Sequence, residues 1–169
     1  MAVDGHITED VANQLKKLPP DATHLVVSAG GNDALGEINL LAEQVVSVGE
    51  ALGLVELTRE RFRQSYRAML SALSQFAKLT AVCTVYDSIP GLEPELKVAL
   101  AGFNEIILRE AVSAGLPVVD LRLICNLTSD YSHVSSIEPS MTGGAKIARV
   151  IADVVTTHDF ARGRSTIYV

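Results

Sequence analysis

Apolar positions along this chain fall into two textures. Three short unbroken runs, Leu25-Val26-Val27-Ser28-Ala29, Thr80-Ala81-Val82-Cys83-Thr84-Val85 and Leu116-Pro117-Val118-Val119-Asp120-Leu121, have the length and β-branched content of strands buried on both faces. Between them the apolar positions recur at three and four residues. Phe62, Tyr66, Met69, Leu70, Leu73 and Phe76 mark one face of a helix running from Thr58 to Ala77. Ile147, Ile151, Val154 and Val155 mark a last helix that Ser140 can cap. A helix is expected at 95–114 with Gly115 as its stop, and another at 39–52. The first helix starts at Thr8 as cap, carries Glu9 and Asp10 in its first turn and Lys16 and Lys17 in its last, and stops at Pro19-Pro20. Pro90, Gly91 and Pro94 make 88–94 a loop, 122–139 reads as polar and irregular, and the tail from Asp159 as loose. Strands alternating with helices predict a parallel sheet with right-handed crossovers, so the expected class is a three-layer α/β/α domain spanning 1–169.

Composition narrows the partners. A chain of 169 residues, 48% apolar, can bury one sizeable core. A net charge of −6 gives no basic footprint for nucleic acid or an anionic membrane surface. Apolar runs end well short of the ~20 residues a spanning helix needs, and no basic segment precedes an apolar one at the start, so a cytoplasmic protein is expected. Cys83 and Cys125, both in or beside apolar segments, read as reduced buried thiols. His6, His24 and His158 lack partners at metal-ligand spacing, and no Gly-rich phosphate loop follows a strand, so neither a metal nor a cofactor is expected. Arg59, Arg61, Arg63 and Arg67 share a helix face, read as solvated rather than as a grip for an acidic partner.

Candidate chemistry concentrates at Gly30-Gly31-Asn32-Asp33, just past the first strand, where open α/β sheets place their ligands. Gly30 and Gly31 let the backbone bend and approach a substrate, and Asn32 can offer an amide N–H to a developing oxyanion. A turn built from Gly, Asn and Asp, with Asp33 bonding nearby backbone, explains the same residues without any function.

These residues resemble the SGNH (GDSL-type) hydrolases, esterases and lipases on a flavodoxin-like parallel sheet. The family's third block, Gly-x-Asn-Asp at a strand end, matches Gly30-Gly31-Asn32-Asp33, and the resemblance gives Asn32 the role of oxyanion donor. Val3-Asp4-Gly5 resembles the second block, whose glycine N–H also faces the oxyanion. Phe103-Asn104-Glu105 through Val119-Asp120 resembles the penultimate helix and last strand. The implied substrate is a small ester, held partly by Gly30, Gly31 and Asp33.

Two departures stand beside these matches. No Gly-Asp-Ser, the family's nucleophile block, occurs in the sequence. Where the last block carries Asp-x-x-His before Pro and Gly, this chain has Ser135 and Glu138, followed by Pro139 and Gly143. A solvated glutamate activates a serine less well than histidine, whose pKa lies near neutrality. A second register, Asp130-Tyr131-Ser132-His133, has the Asp-x-x-His spacing and would make His133 the base. An acid at 138 near a helix start, or a surface histidine at 133, needs no catalytic role. The expectation is a chain that begins after the family's first strand, has little or no activity alone, and self-associates through the bare edge of the strand at 24–29. The other expectation is a binding module that keeps the pocket without the triad.

Overall fold

The computed structural model describes residues 2–169. Its elements are α1 (Val11–Leu15), β1 (His24–Ser28), α2 (Gly31–Gly36), α3 (Val48–Ser74), β2 (Leu79–Cys83), α4 (Pro94–Ser113), β3 (Val118–Val119), α5 (Leu121–Ile124), α6 (Met141–Thr157) and β4 (Ile167–Tyr168). The strands form one sheet in the order β1-β2-β3-β4, and each neighbouring pair is parallel. Val26 lies opposite Ala81 and Val27 opposite Val82, which lies in turn beside Val118. This is the three-layer α/β class that the alternating pattern predicts.

Each face of the sheet has its own core. On one, Phe62, Tyr66, Met69 and Leu73 of α3 meet Leu100, Phe103, Ile106 and Ile107 of α4, with Val11, Leu15 and Leu25. On the other, Ala81, Cys83 and Val119 pack with Val150 and Val154 of α6 and with Tyr131. Both cysteines are buried free thiols. That second layer stops at β2. Val26, on the Ala81 side, is 38% exposed, Ser28 is exposed, and β1 is an edge strand among the described residues.

Several sequence expectations are corrected. No helix spans 39–52. A short 3-10 turn, Ile38–Ala42, is followed by irregular chain to Ser47. The long helix begins at Val48, ten residues before Thr58, because Ser47 Oγ accepts the Glu50 N–H while Glu50 accepts the Val46 N–H. Thr8 is not a side-chain cap: it opens a 3-10 turn, and its hydroxyl reaches Asp33. The strand expected at 116–121 is only Val118–Val119, since Asp120 caps α5 by accepting from Arg122 N–H. The tail is ordered. Its 3-10 turn Phe160–Arg162 leads to β4, whose neighbour Thr166 accepts the Val118 N–H at 2.9 Å.

The arginine face on α3 is not simply solvated. Arg59 bonds Glu105 at 2.8 Å and Arg67 bonds Glu110 at 2.7 Å, so these side chains lock α3 to α4. Glu110 itself is buried. The segment 122–139 is likewise held in place, by an isolated bridge between Tyr131 and Pro139 and by the Tyr131 hydroxyl donating to the Cys125 carbonyl at 2.7 Å.

Candidate functional site

The chain leaves the carboxyl end of β1 and reverses within three residues. Gly30 makes the reversal with φ +116, a left-handed conformation, and a Cβ there would lie 3.1 Å from both Ile107 Cδ1 and Phe62 Cζ. Only glycine satisfies both conditions. The reversal starts α2 at Gly31 and sets Asn32 and Asp33 in its first turn.

These two side chains stitch the tetrad to the segment 4–8. Asn32 Nδ2 donates to the His6 carbonyl at 2.8 Å. Thr8 donates its backbone N–H to Asp33 at 3.1 Å and its hydroxyl at 2.6 Å. Burial pushes the Asp33 carboxyl above the usual aspartate range, and the Thr8 bonds offset this only in part. Gly5, with φ +76, sits exposed between Asp4 and His6. The His6 ring is fixed by Gln14, whose Nε2 lies 3.0 Å from Nδ1.

A cavity of about 330 Å³ opens beside the tetrad. Gly30, Gly31, Asn32 and His6 form one wall, while Thr84, Tyr86 and Glu138 stand at another. Apolar side chains from the 35–41 segment, α3 and α4 close the rest, among them Leu35, Ile38, Val55, Leu96 and Phe103. Of the residues singled out from sequence, Gly30, Gly31, Asn32 and Glu138 line this space. Gly5, Asp33 and His133 do not.

Buried hydrogen bonds hold the wall after β2. Asn104, fully buried on α4, accepts the Val85 N–H and donates to the Val85 carbonyl, both at 2.8 Å, as a neighbouring strand would. Thr84 donates to Asp120 at 2.9 Å and accepts the Leu121 N–H at 2.9 Å. Burial tends to raise the Asp120 carboxyl, but Arg122 and Thr84 outweigh it and hold the group below its usual range. The Tyr86 hydroxyl donates to the Ile137 carbonyl and thereby ties the 133–138 loop to the cavity. Burial, with Cys125 and Glu138 nearby, pushes that hydroxyl up to about 12.

The base of the same loop is fixed by Asp130. Its fully buried carboxylate pairs with Lys146 at 2.7 Å and accepts the Leu127 N–H at 3.1 Å, and its carbonyl accepts the Ser140 N–H at 2.8 Å. Burial works against the charge, yet these partners prevail and keep its pKa low. Gly143 is obligatory here, since a Cβ would fall 2.1 Å from the Asp130 carbonyl oxygen. Asp130 is thus engaged by α6, while His133 and Glu138 are both exposed on the loop.

Sequence reasoning passed over Thr84, Tyr86 and the apolar wall. Tyr86 carried a usable signal, because it follows the carboxyl end of β2 as the tetrad follows that of β1. Among the described residues no three His, Cys, Asp or Glu side chains gather as a metal site requires, and no helix is long and apolar enough to cross a membrane.

No family model matches the sequence, nor does any curated protein. Solved structures do match the fold. An α/β hydrolase enzyme from the metagenome of Lake Arreo, Spain, is 15% identical with a TM-score of 0.64, over 89% of this chain and 67% of its own. The acetyl xylan esterase AlAXEase is 15% identical with a TM-score of 0.67, over 92% and 79%. An extracellular lipase from Streptomyces rimosus is 18% identical with a TM-score of 0.61, over 90% and 77%.

Proposed function

We propose that this chain carries the oxyanion donor and acyl pocket of an SGNH-type ester hydrolase, for a small-molecule ester. The observation that carries the reading is the placement of Asn32. It lines the cavity at the carboxyl end of β1, and one amide N–H is bonded to the His6 carbonyl. An amide has two such donors, so the other remains for a ligand oxygen. A donor held in advance stabilises a tetrahedral oxyanion without reorganising during reaction. The fold shared with an esterase and a lipase supports the same reading.

Gly30 and Gly31 are assigned the shaping of the substrate wall, and Asp33, outside the cavity, the clamp to Thr8 that positions them; Gly5 does not line the cavity, so the backbone donor role expected of it is not carried over. Glu138 is preferred to His133 as the base because it borders the cavity and His133 does not. With no Gly-Asp-Ser in the sequence, slow turnover or none is expected from these residues alone. The second reading, a binding module, draws support from Asp130, whose carboxylate serves Lys146 rather than a histidine.

Hydrolysis of a short-chain p-nitrophenyl ester tests the proposal, comparing the parent with Asn32→Ala. Loss of one oxyanion donor should cost about 100-fold in rate. Turnover indifferent to Asn32 would overturn the assignment, and binding without turnover would favour the module.

A further inference from the structure

The helix α3 has 27 residues, ~40 Å of helix, whereas β2 after it has 5, ~17 Å of strand. α3 and α4 run side by side in the same direction, as the Arg59–Glu105 and Arg67–Glu110 pairs require. Their amino-terminal halves therefore project past the carboxyl edge of the sheet with no strand beneath them. The core-facing stripe of α3 begins only at Thr58 and Phe62, and the preceding Val48 and Leu52 are 77% and 63% exposed. Along α4 the cavity runs from Phe103, near the tetrad, to Leu96.

We infer that this overhang is a slot for a neutral, medium-length aliphatic acyl chain, an inference that rests on the reading of Asn32 as carbonyl donor. The carbonyl oxygen meets Asn32 and the tail lies along α4 toward Leu96, with Leu35 and Ile38 opposite. Phe103 to Leu96 is ~10 Å of helix, which matches an extended chain of roughly eight carbons. Asp4, Glu37 and Glu138 line the cavity, and the one guanidinium there, Arg59, gives its two terminal nitrogens to Glu56 and Glu105. That charge pattern disfavours a free carboxylate or phosphate. The apolar wall offers few partners for sugar hydroxyls, so the acyl side of the ester is what this slot selects.

Alkan-2-ones test the slot apart from catalysis, because they present a carbonyl and a tail but no leaving group. Titrating the full chain by calorimetry with 2-hexanone, 2-octanone and 2-decanone should show about three- to fourfold tighter binding per methylene, levelling near eight carbons. Ala99→Phe, which fills the slot from α4, should flatten this series, and Leu96→Ala should weaken 2-octanone several-fold. Melting curves confirm that both variants fold. Affinity independent of chain length, no binding up to the solubility limit, or a series unchanged in both variants would overturn the inference. Chain-dependent binding with no ester turnover would uphold the slot and favour the binding module. Turnover of short esters without chain dependence would do the reverse.

Discussion

Asp33 holds the site together at a measurable electrostatic cost. Its raised carboxyl pKa means that the folded chain keeps this proton to higher pH than the unfolded chain, whose reference value is 3.8. The destabilisation is absent below that value, grows as pH rises through the folded pKa, and is complete above it. Asp120 and Asp130 act in the opposite sense: their pKa values are lowered, so the stability they add is lost on acidification. Comparison with Asp33→Asn, which keeps one acceptor oxygen for Thr8, isolates the first effect. The parent-minus-variant difference in denaturant midpoint should drift against the parent as pH rises above 3.8 and level off once the folded carboxyl has ionised. A difference that stays constant with pH would contradict this account. The tetrad was legible in the sequence because all its chemistry is local. The Thr8–Asp33 clamp was not, because it joins residues 25 positions apart.

Among the elements, those with a continuous signal were read correctly and those fixed by distant contacts were not. The runs around Val26, Val82 and Val118 gave strands, though β1 is bare on one face and β3 is shorter than expected, and the Gly115 stop of α4 and the stripe of α6 gave helices. The start of α3 carried a readable Ser-x-x-Glu start signal at Ser47 and Glu50, masked by Gly49 and Gly53 on a helix whose first turns lie in solvent. β4 has two residues and no pattern at all. Its position follows from Gly115, whose φ of +68 and missing Cβ allow the Gly163 carbonyl oxygen to pass 2.5 Å from where a Cβ would stand. Gly115→Ala meets both the left-handed strain and that backbone collision. It should cost about 2 kcal/mol or more and raise amide exchange first at Val118 and Asp120, whose N–H groups donate to Thr166 and Tyr168. Unchanged exchange there would show that the tail is held by something else.

At the scale of the whole molecule, the sheet is covered on both faces only from β2 onward. The unpaired side of β1, with Val26 exposed beside it, is a template for another strand. Sedimentation at rising concentration should reveal self-association, and Val26→Lys should shift the population toward monomer. A parent chain that remains monomeric throughout would refute this. The cavity could not have been foreseen from the sequence, because it exists only where helix length exceeds strand length, a relation between distant segments. That mismatch separates two properties usually entangled in one scaffold. The turns of α3 before Thr58 rest on no sheet, so removing or adding one turn there should reset which tail is accepted while the melting temperature barely moves.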